Sequence, residues 1–341
     1  MIINAKAPLR LGLAGGGTDV SPYSEDFGGA VLNTTISLYA RAVIEPLDNG
    51  KIILESYDLN EYQELDSNTY LIDDGKLPLL KGVYNRIVSD FVKKPLSFKL
   101  TTIVDVPKGS GLGTSSTIVV AIIGAFAEWL NLPLGDYDIA HLAWEIERND
   151  LNLAGGKQDQ YAATFGGFNF IEFSGDKGVI VNPLRIKSLY KQQLEWNLLL
   201  YYTGTGRDSA EIIKDQAKRF ENQKSNAVAA AHAIKEISYR MKETLLKGEI
   251  DNIGNLLDIS WNNKKMMSSE ISNTVLDEIY TTAISAGASG GKISGAGGGG
   301  FIMFYCPKNT KQQVINSLQR FGGRAYNYVF VDEGLFSFTV K

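Results

Sequence analysis

Apolar residues recur along the chain at helical spacing in several segments. Residues 79–92 carry apolar side chains at every third or fourth position, which is typical of a helix packed on one face. Residues 115–130 are apolar almost throughout and predict a buried helix, with a hydroxyl-rich start that suits an N-cap. The other predicted helices are 136–148, 158–164, most of 209–286, and 311–321.

Strand patterns fill the segments between these helices. They predict strands at 1–13 (broken by Pro8), 36–46, 51–57 and 97–106, and Asp48-Asn49-Gly50 is a turn that joins the second to the third. Residues 167–173 and 178–182 predict a hairpin. Later strands are predicted at 196–202, 290–294, 301–306, 324–331 and 337–340. This order predicts an α+β fold of two domains, 1–188 and 189–341, since the pattern changes after Lys187.

Composition excludes several classes of protein. Apolar residues make up 44% and charged residues 21%, which argues against a disordered or fibrous chain. A net charge of −4 disfavours nucleic-acid binding. One cysteine cannot form an intramolecular disulfide, and with only two histidines a Cys/His zinc site is nearly excluded. No signal peptide or membrane span is recognisable, so we expect a cytoplasmic protein without a membrane partner.

Glycine is concentrated in four short windows. Residues 12–29, 109–113, 155–167 and 287–300 hold 21 of the 35 glycines. The second window lies between a predicted strand and a predicted helix, where bare backbone N–H groups and the helix N-terminus can bind an anion. Hydroxyls at Thr114, Ser115 and Ser116 can donate to phosphate or bind Mg²⁺. The alternative is a tight turn with a Ser/Thr cap.

Two common nucleotide-binding motifs do not fit. Gly113 is followed by Thr114, so the second window lacks the lysine of a Walker A loop. The window at 295–300 matches G-x-G-x-x-G, but a strand-like segment follows it where the Rossmann fingerprint needs a helix. Protein-kinase signatures are also absent.

The first and third windows hold candidate polar groups for a second ligand. Thr18 and Asp19 follow three glycines and could bind a polyhydroxylated molecule, while Arg10 could neutralise a transferring phosphoryl group. Lys157 and Asp159 follow Gly155-Gly156 near the start of a predicted helix. The alternatives are a glycine turn capped by Asp19 and a solvated helix start.

Taken together, three segments resemble the signature of the GHMP small-molecule kinases, which include galactokinase, homoserine kinase and mevalonate kinase. The resemblance extends over nearly the whole chain. The matching segments are Pro8-x-Arg10-x-Gly12-x-x-Gly15-x-x-Thr18-Asp19, Pro107-x-Gly109-x-Gly111-Leu112-Gly113-Thr114-Ser115-Ser116, and Lys292-x-Ser294-Gly295-Ala296-Gly297-Gly298-Gly299-Gly300. The resemblance implies an N-terminal domain like ribosomal protein S5 domain 2, a ferredoxin-like C-terminal domain, and a cleft for ATP-Mg²⁺ and an acceptor.

The resemblance also implies roles for single residues. Asp159 matches the aspartate beside the acceptor hydroxyl, and Arg10 the basic residue that accompanies it. Glu147 and Ser115 match the magnesium ligands, and Asp19 an acceptor-binding aspartate. The nucleotide phosphates would bind to the second motif, formed by Pro107, Lys108, Gly109, Ser110, Gly111, Leu112, Gly113, Thr114, Ser115 and Ser116.

One departure from the pattern narrows the resemblance. Galactokinase-like members have Glu-His before Thr-Asp, whereas this chain has Gly16-Gly17, which leaves room for a substituent. This form is similar to the branch that phosphorylates D-glycero-D-manno-heptose 7-phosphate at C1, giving the 1,7-bisphosphate for GDP-heptose and surface polysaccharide. L-Fucokinase domains share much of it, but are usually fused to a nucleotidyltransferase, for which 341 residues leave no space.

A phosphorylated sugar needs a second anion site beside that for ATP. The candidates are Lys157, Arg207 and Lys292, with Gly297 and Gly298 of the third motif also expected near the acceptor. Two alternatives stay open: another sugar-1-kinase of the family, such as L-fucokinase, and a non-catalytic sensor of sugar and ATP.

Overall fold

The strands form two sheets in a computed structural model that describes residues 1–175, 178–206, 209–221 and 225–341. Among these residues the first sheet has eight strands, in the order β12-β1-β2-β5-β3-β4, and the hairpin β6–β7 pairs with β2 through β6. Its strands are β1 (Ile2–Ala14), β2 (Gly29–Pro46), β3 (Lys51–Ser56), β4 (Glu61–Asp66), β5 (Phe98–Val104), β6 (Phe168–Ser174), β7 (Gly178–Pro183) and β12 (Phe336–Val340). The second sheet, β11-β8-β10-β9, is antiparallel and contains β8 (Leu198–Tyr202), β9 (Gly290–Ile293), β10 (Phe301–Tyr305) and β11 (Arg324–Tyr326).

Helices cover both sheets. Those of the first part are α1 (Tyr23–Asp26), α2 (Pro78–Ile87), α3 (Thr114–Leu130), α4 (Asp136–Glu145), α5 (Gln158–Phe165) and α6 (Ser188–Asn197). Those of the second part are α7 (Ser209–Glu221), α8 (Ser225–Lys247), α9 (Ile253–Met267), α10 (Thr274–Ser285) and α11 (Lys311–Leu318). Helix α3 is buried from Ser116 to Phe126, which explains why its sequence is apolar on every side. It packs against β1, β2 and α5, and so fixes the first sheet relative to two of the glycine windows.

Several local predictions were wrong. Strand β1 runs through Pro8 without a break, because a register shift between Pro8 and Leu9 accommodates the residue that lacks an N–H. Residues 47–50 do join β2 to β3, as predicted, although the two strands do not pair because β5 lies between them. Helix α3 is capped by Gly113 in the left-handed conformation rather than by a hydroxyl side chain. The strand predicted at 196–202 begins only at Leu198, after the unpredicted helix α6.

The last strand returns to the first sheet. Strand β12 pairs antiparallel with β1, from Ile2 opposite Val340 to Lys6 opposite Phe336. An isolated bridge between Ile36 and Phe330 adds a second contact of the tail with the first sheet. The domain boundary after residue 188 stays a prediction, and the segment beyond it contributes one strand to the sheet of the other domain.

Candidate active site

A cavity of about 710 Å³ lies where the glycine windows converge. Residues far apart in sequence line it, among them Arg10, Asp19, Gly111, Asp159 and Lys264. One part of its wall is apolar and is contributed by Leu59, Leu77, Pro78, Leu79, Leu80, Val104 and Val106. The cavity therefore combines an apolar compartment with a polar one, as a pocket for an organic phosphate requires.

The second motif forms a left-handed glycine loop at the start of α3. Gly109, Gly111 and Gly113 have φ values of 73°, 80° and 78°. A Cβ at Gly111 would lie 2.3 Å from the carbonyl oxygen of Ser294, so the close approach of the two loops needs glycine there. The lining residues of this motif are Lys108, Gly109, Gly111, Gly113, Thr114, Ser115 and Ser116. Backbone at a helix N-terminus can hold phosphate groups there.

The other residues of this loop anchor it to its neighbours. Pro107 is exposed and does not line the cavity. The carbonyl oxygen of Leu112 accepts a hydrogen bond from Arg10 N at 3.2 Å. The carbonyl oxygen of Ser110 accepts one from Phe301 N at 2.9 Å. The loop is thus tied both to β1 and to the strand that follows the third motif.

The third motif supports the cavity from behind. The Lys292 ammonium is buried and donates to the carbonyl oxygen of Gly12 at 2.7 Å. The backbone N–H of Gly298 donates to the carbonyl oxygen of Ile271 at 2.8 Å, and a Cβ at Gly297 would lie 2.8 Å from that same oxygen. Lys292, Gly297 and Gly298 are not among the residues that line the cavity, so the structure does not place these predicted acceptor residues in its wall.

Arg10 and Asp159 form an ion pair in the polar part of the cavity. The guanidinium donates from Nε to Asp159 Oδ1 at 2.7 Å, and from Nη1 to the carbonyl oxygen of Gly111 at 2.6 Å and to Ser294 Oγ at 3.2 Å. Arg10 is only 4% exposed, whereas the Asp159 side chain is 24% exposed and lines the cavity. One arginine therefore links all three motifs and orients a carboxylate that remains accessible to a ligand.

Asp19 is the N-terminal cap of α5. Its Oδ2 accepts from the backbone N–H groups of Lys157 and Gln158 at 3.0 and 3.1 Å. Its Oδ1 accepts from Gly17 N and from Gln158 Nε2, both at 3.1 Å. A Cβ at Gly156 would lie 1.9 Å from Oδ2, so glycine at that position makes this approach possible. The carboxylate has four donors within the protein and fixes the helix turn that carries Asp159.

Thr18 and the two glycines before it also belong to this loop. Thr18 is fully buried, and its hydroxyl donates to the carbonyl oxygen of Gly15 at 2.8 Å. Gly17 lines the cavity, with the left-handed φ of 103°. A Cβ at Gly16 would lie 3.7 Å from Lys264 Nζ. The backbone of Gly16-Gly17 therefore faces α9 and leaves space beside the buried ammonium of Lys264. The sugar contacts predicted for this loop stay predictions.

Glu147 and Ser115 offer oxygen ligands to a cation. Glu147 is 2% exposed, and burial raises the pKa of its carboxyl group, with Arg148 Nη2 at 3.8 Å opposing that effect. Gln160 donates to Glu147 and, at 3.1 Å, to Ser116 Oγ. Ser115 is exposed in the cavity. A buried carboxylate and a hydroxyl that line the same cavity suit Mg²⁺, which takes few protein ligands and keeps phosphate or water oxygens for the rest.

Of the three residues predicted for a second anion site, Lys157 and Lys292 do not line the cavity. Lys157 donates from Nζ to Glu25 Oε1 at 2.6 Å and does not line the cavity. Arg207 lies outside the described residues. Among the described residues, the cations that line the cavity are Arg10, Lys108, Arg148 and Lys264, and of these Lys264 was missed as a candidate site residue. Its position in the helical pattern could have identified it. Lys264 lies with Leu257 and Trp261 on the buried face of α9, where a lysine is unusual.

Comparison with known proteins identifies the family. The model described as "GHMP kinases N terminal domain" matches residues 78–167, and "GHMP kinases C terminal" matches residues 241–324. The chain belongs to the GHMP kinase family. As a GHMP kinase it is a phosphotransferase, and the predicted family, the α+β two-domain kinase fold and the enzyme class are confirmed.

Full-length relatives of this GHMP kinase include sugar kinases. It is 50% identical to the D-glycero-alpha-D-manno-heptose 7-phosphate kinase of Campylobacter jejuni, over 99% of each chain. The crystal structure of a D-glycero-D-manno-heptose 1-phosphate kinase from Bacteroides thetaiotaomicron is similar with a TM-score of 0.85 and 44% identity, over 99% of each chain. That of a putative sugar kinase from Campylobacter jejuni has a TM-score of 0.82 and 50% identity, over 99% of this chain and 98% of the other. In the described part of this GHMP kinase, no helix is long and apolar enough to cross a membrane.

Proposed function

We propose that this kinase transfers the γ-phosphoryl group of ATP to the C1 hydroxyl of D-glycero-D-manno-heptose 7-phosphate, giving the 1,7-bisphosphate. The observation that carries this proposal is the 50% identity, over the full length, to a kinase named for that sugar phosphate. The geometry supports it, because an accessible carboxylate, a glycine loop at a helix N-terminus and a cation face one cavity.

The nucleotide would bind along the second motif. Its β- and γ-phosphates would meet backbone N–H groups of the loop at 107–116 and the N-terminus of α3. Mg²⁺ would be held by Glu147 and Ser115, and when bound it neutralises charge on the phosphates. The apolar wall that includes Leu59 and Leu77 suits an aromatic base.

The acceptor would lie between Asp159 and the loop at 16–19. Asp159 Oδ accepts a hydrogen bond from the C1 hydroxyl and so directs its oxygen at the γ-phosphorus. The new C1 O–P bond forms as the bond to the β–γ bridging oxygen breaks, ADP leaves, and the hydroxyl proton passes to Asp159. An anomeric hydroxyl is acidic for an alcohol, so positioning and charge neutralisation by Arg10 do most of the work.

The test is ADP release with ATP and Mg²⁺ against a panel of D-glycero-D-manno-heptose 7-phosphate, D-glycero-D-manno-heptose, L-fucose and D-galactose. We expect the heptose 7-phosphate to have the highest kcat/KM, and phosphorus NMR to show a new phosphate on C1. Preference for L-fucose would contradict the heptose assignment. Tight sugar binding without any turnover would favour a sensor.

The matched variant for this assay is Asp159→Asn. It keeps the size of the side chain and a contact with Arg10 but removes the carboxylate that receives the proton. We expect kcat to fall by about 10²–10⁴-fold with little change in the KM for ATP. Turnover close to that of the wild type would exclude Asp159 as the group that receives the proton.

A further inference from the structure

One wall of the cavity is formed by α7 and α9 and contains two buried polar side chains. Lys264 of α9 is 3% exposed and Gln216 of α7 is 1% exposed, and both line the cavity. Gly16 and Gly17 lie opposite. An added Cβ at Gly16 would be 3.7 Å from Lys264 Nζ, and one at Gly17 would be 3.6 Å from Gln216 Oε1. The two side chains and the bare loop together enclose one corner of the cavity.

In the part of the chain that the structure describes, no carboxylate bonds directly to the ammonium of Lys264. Its Nζ donates to the carbonyl oxygen of Gly295 at 2.7 Å and to that of Gly16 at 3.5 Å, and within the described residues it has no ion pair. The nearby carboxylates are engaged elsewhere: Asp19 accepts four hydrogen bonds and Asp159 pairs with Arg10. A buried ammonium without a counter-ion is costly, so this corner attracts an anion.

The pKa of Lys264 is consistent with a corner of the cavity that attracts an anion. Burial lowers its pKa to about 8, with Arg10 acting in the same direction while Asp19 and Asp159 oppose it. Burial lowers the pKa of the neighbouring Lys292 as well, with Lys264 and Arg10 acting in the same direction. An anionic ligand beside Lys264 would restore its ordinary protonation.

Gln216 supplies an unused donor at the same corner. Its Nε2 is buried and has no hydrogen-bond partner among the residues that the structure describes. A buried amide donor without a partner costs free energy, which a ligand oxygen in the cavity would recover. The Oε1 atom of this amide lies 3.6 Å from the position that a Cβ would take at Gly17, so the amide borders the loop at 16–17.

We propose that Lys264 and Gln216 form the subsite for the phosphate group that the acceptor already carries. The inference rests on the proposed function, because it assigns the end of the sugar remote from C1 to this corner. The loop at 16–17 is bare so that the phosphate oxygens can reach the ammonium and the amide. Lys264 would thus make the kinase specific for a phosphorylated sugar over the free sugar.

The experiment compares kcat/KM for D-glycero-D-manno-heptose 7-phosphate with that for D-glycero-D-manno-heptose. In Lys264→Met we expect this ratio to fall by about 100-fold, and in Gln216→Leu by about 10-fold, the sizes typical of a charged and a neutral hydrogen bond. The KM for ATP should not change. The control is Lys265→Met, in the same helix, whose ammonium lies 3.7 Å from Asp277 Oδ1 and outside the cavity.

A second variant leaves Lys264 in place. Gly16→Glu puts a carboxylate next to the ammonium, and the added Cβ meets only ordinary van der Waals distances. We expect it to lower the same ratio at least as much as Lys264→Met, because the new side chain neutralises Lys264 and fills the corner. If Lys264→Met does not fold, the ratio measured for Gly16→Glu tests the proposed subsite instead.

Three results would overturn the proposal. The first is an equal fall in kcat/KM for both heptoses in Lys264→Met. That result would mean that the charge of Lys264 acts on the transferred phosphoryl group or stabilises the loops. The second is a wild-type enzyme that does not distinguish the two heptoses. The third concerns binding alone: with a non-hydrolysable ATP analogue on the loop at 107–116, we expect inorganic phosphate to bind to the wild type and not to Lys264→Met, so equal binding to both would overturn the proposal. That binding experiment is independent of turnover, so it separates failure of the subsite from failure of the proposed function.

Discussion

Asp19→Asn distinguishes a helix cap from a sugar ligand. The carboxylate receives four N–H donors, two on each oxygen, and is 2% exposed. An asparagine has one acceptor oxygen, so two of these donors would face its NH₂ group. A hydrogen bond to a charged group contributes roughly 1.5–3 kcal/mol, and cheaper burial of the neutral amide offsets part of the loss. We expect the free energy of unfolding to fall by about 3 kcal/mol.

The same substitution should lower activity through Asp159. Lys157 N and Gln158 N define the first turn of α5, and Asp159 follows directly. Displacing a catalytic group by about 1 Å can cost on the order of 10²-fold in rate. We therefore expect kcat to fall strongly, with a smaller change in the KM for the acceptor.

Urea denaturation followed by tryptophan fluorescence gives the stability, and steady-state kinetics give kcat and KM. The control is Asp138→Asn, where an exposed carboxylate caps α4 by accepting from Gly135 N at 2.9 Å. It should cost less than about 1 kcal/mol and leave kcat unchanged. If Asp19→Asn kept the wild-type stability and raised only the acceptor KM, Asp19 would be a sugar ligand and the capping argument would be wrong.

Four further outcomes follow from the structure. Gly111→Ala should abolish ATP binding measured by calorimetry, because the left-handed φ and the 2.3 Å approach to the Ser294 oxygen exclude a Cβ; retained affinity would contradict this. Glu147→Gln should raise the Mg²⁺ concentration for half-maximal activity by about 10-fold or more. Burial raises the folded-state pKa of Glu147, so its charged form destabilises the fold at pH 7. In urea denaturation at pH 7 the free energy of unfolding of Glu147→Gln should therefore be at least that of the wild type. The difference should vanish at acid pH, where Glu147 of the wild type takes up its proton. The kcat/KM for the phosphorylated heptose should fall as the pH rises through about 8, where Lys264 loses its proton, and a pH profile of Lys264→Met should lack this decline.

Much of the glycine loop at 107–116 could be predicted because its requirements are local. Glycines at 109, 111 and 113 adopt left-handed φ values at the end of a strand and the start of a helix, and neighbouring residues supply the whole motif. The buried helix α3 was likewise evident from its own apolar run. The pairing of β2 with β5 was not, since hydrophobic periodicity identifies strands but not their partners.

The residues of the candidate anion site could not be predicted from the sequence. Lys157, an expected phosphate ligand, forms an ion pair with Glu25, 132 positions earlier in the chain. Lys264, which no local motif marks, reaches Gly16, 248 positions away. Whether a lysine is free to bind depends on which carboxylate the fold brings to it, and sequence neighbours do not reveal that.

The sequence by itself determined the family, the two layers of helix and strand, and the glycine loops, because these depend on backbone conformation and on periodicity within short segments. The tertiary structure alone decided that Asp19 caps α5, that β12 joins the first sheet, and that Lys264 and Gln216 face Gly16-Gly17. These features are contacts between distant segments, and their energies arise only when folding removes water from both partners at once.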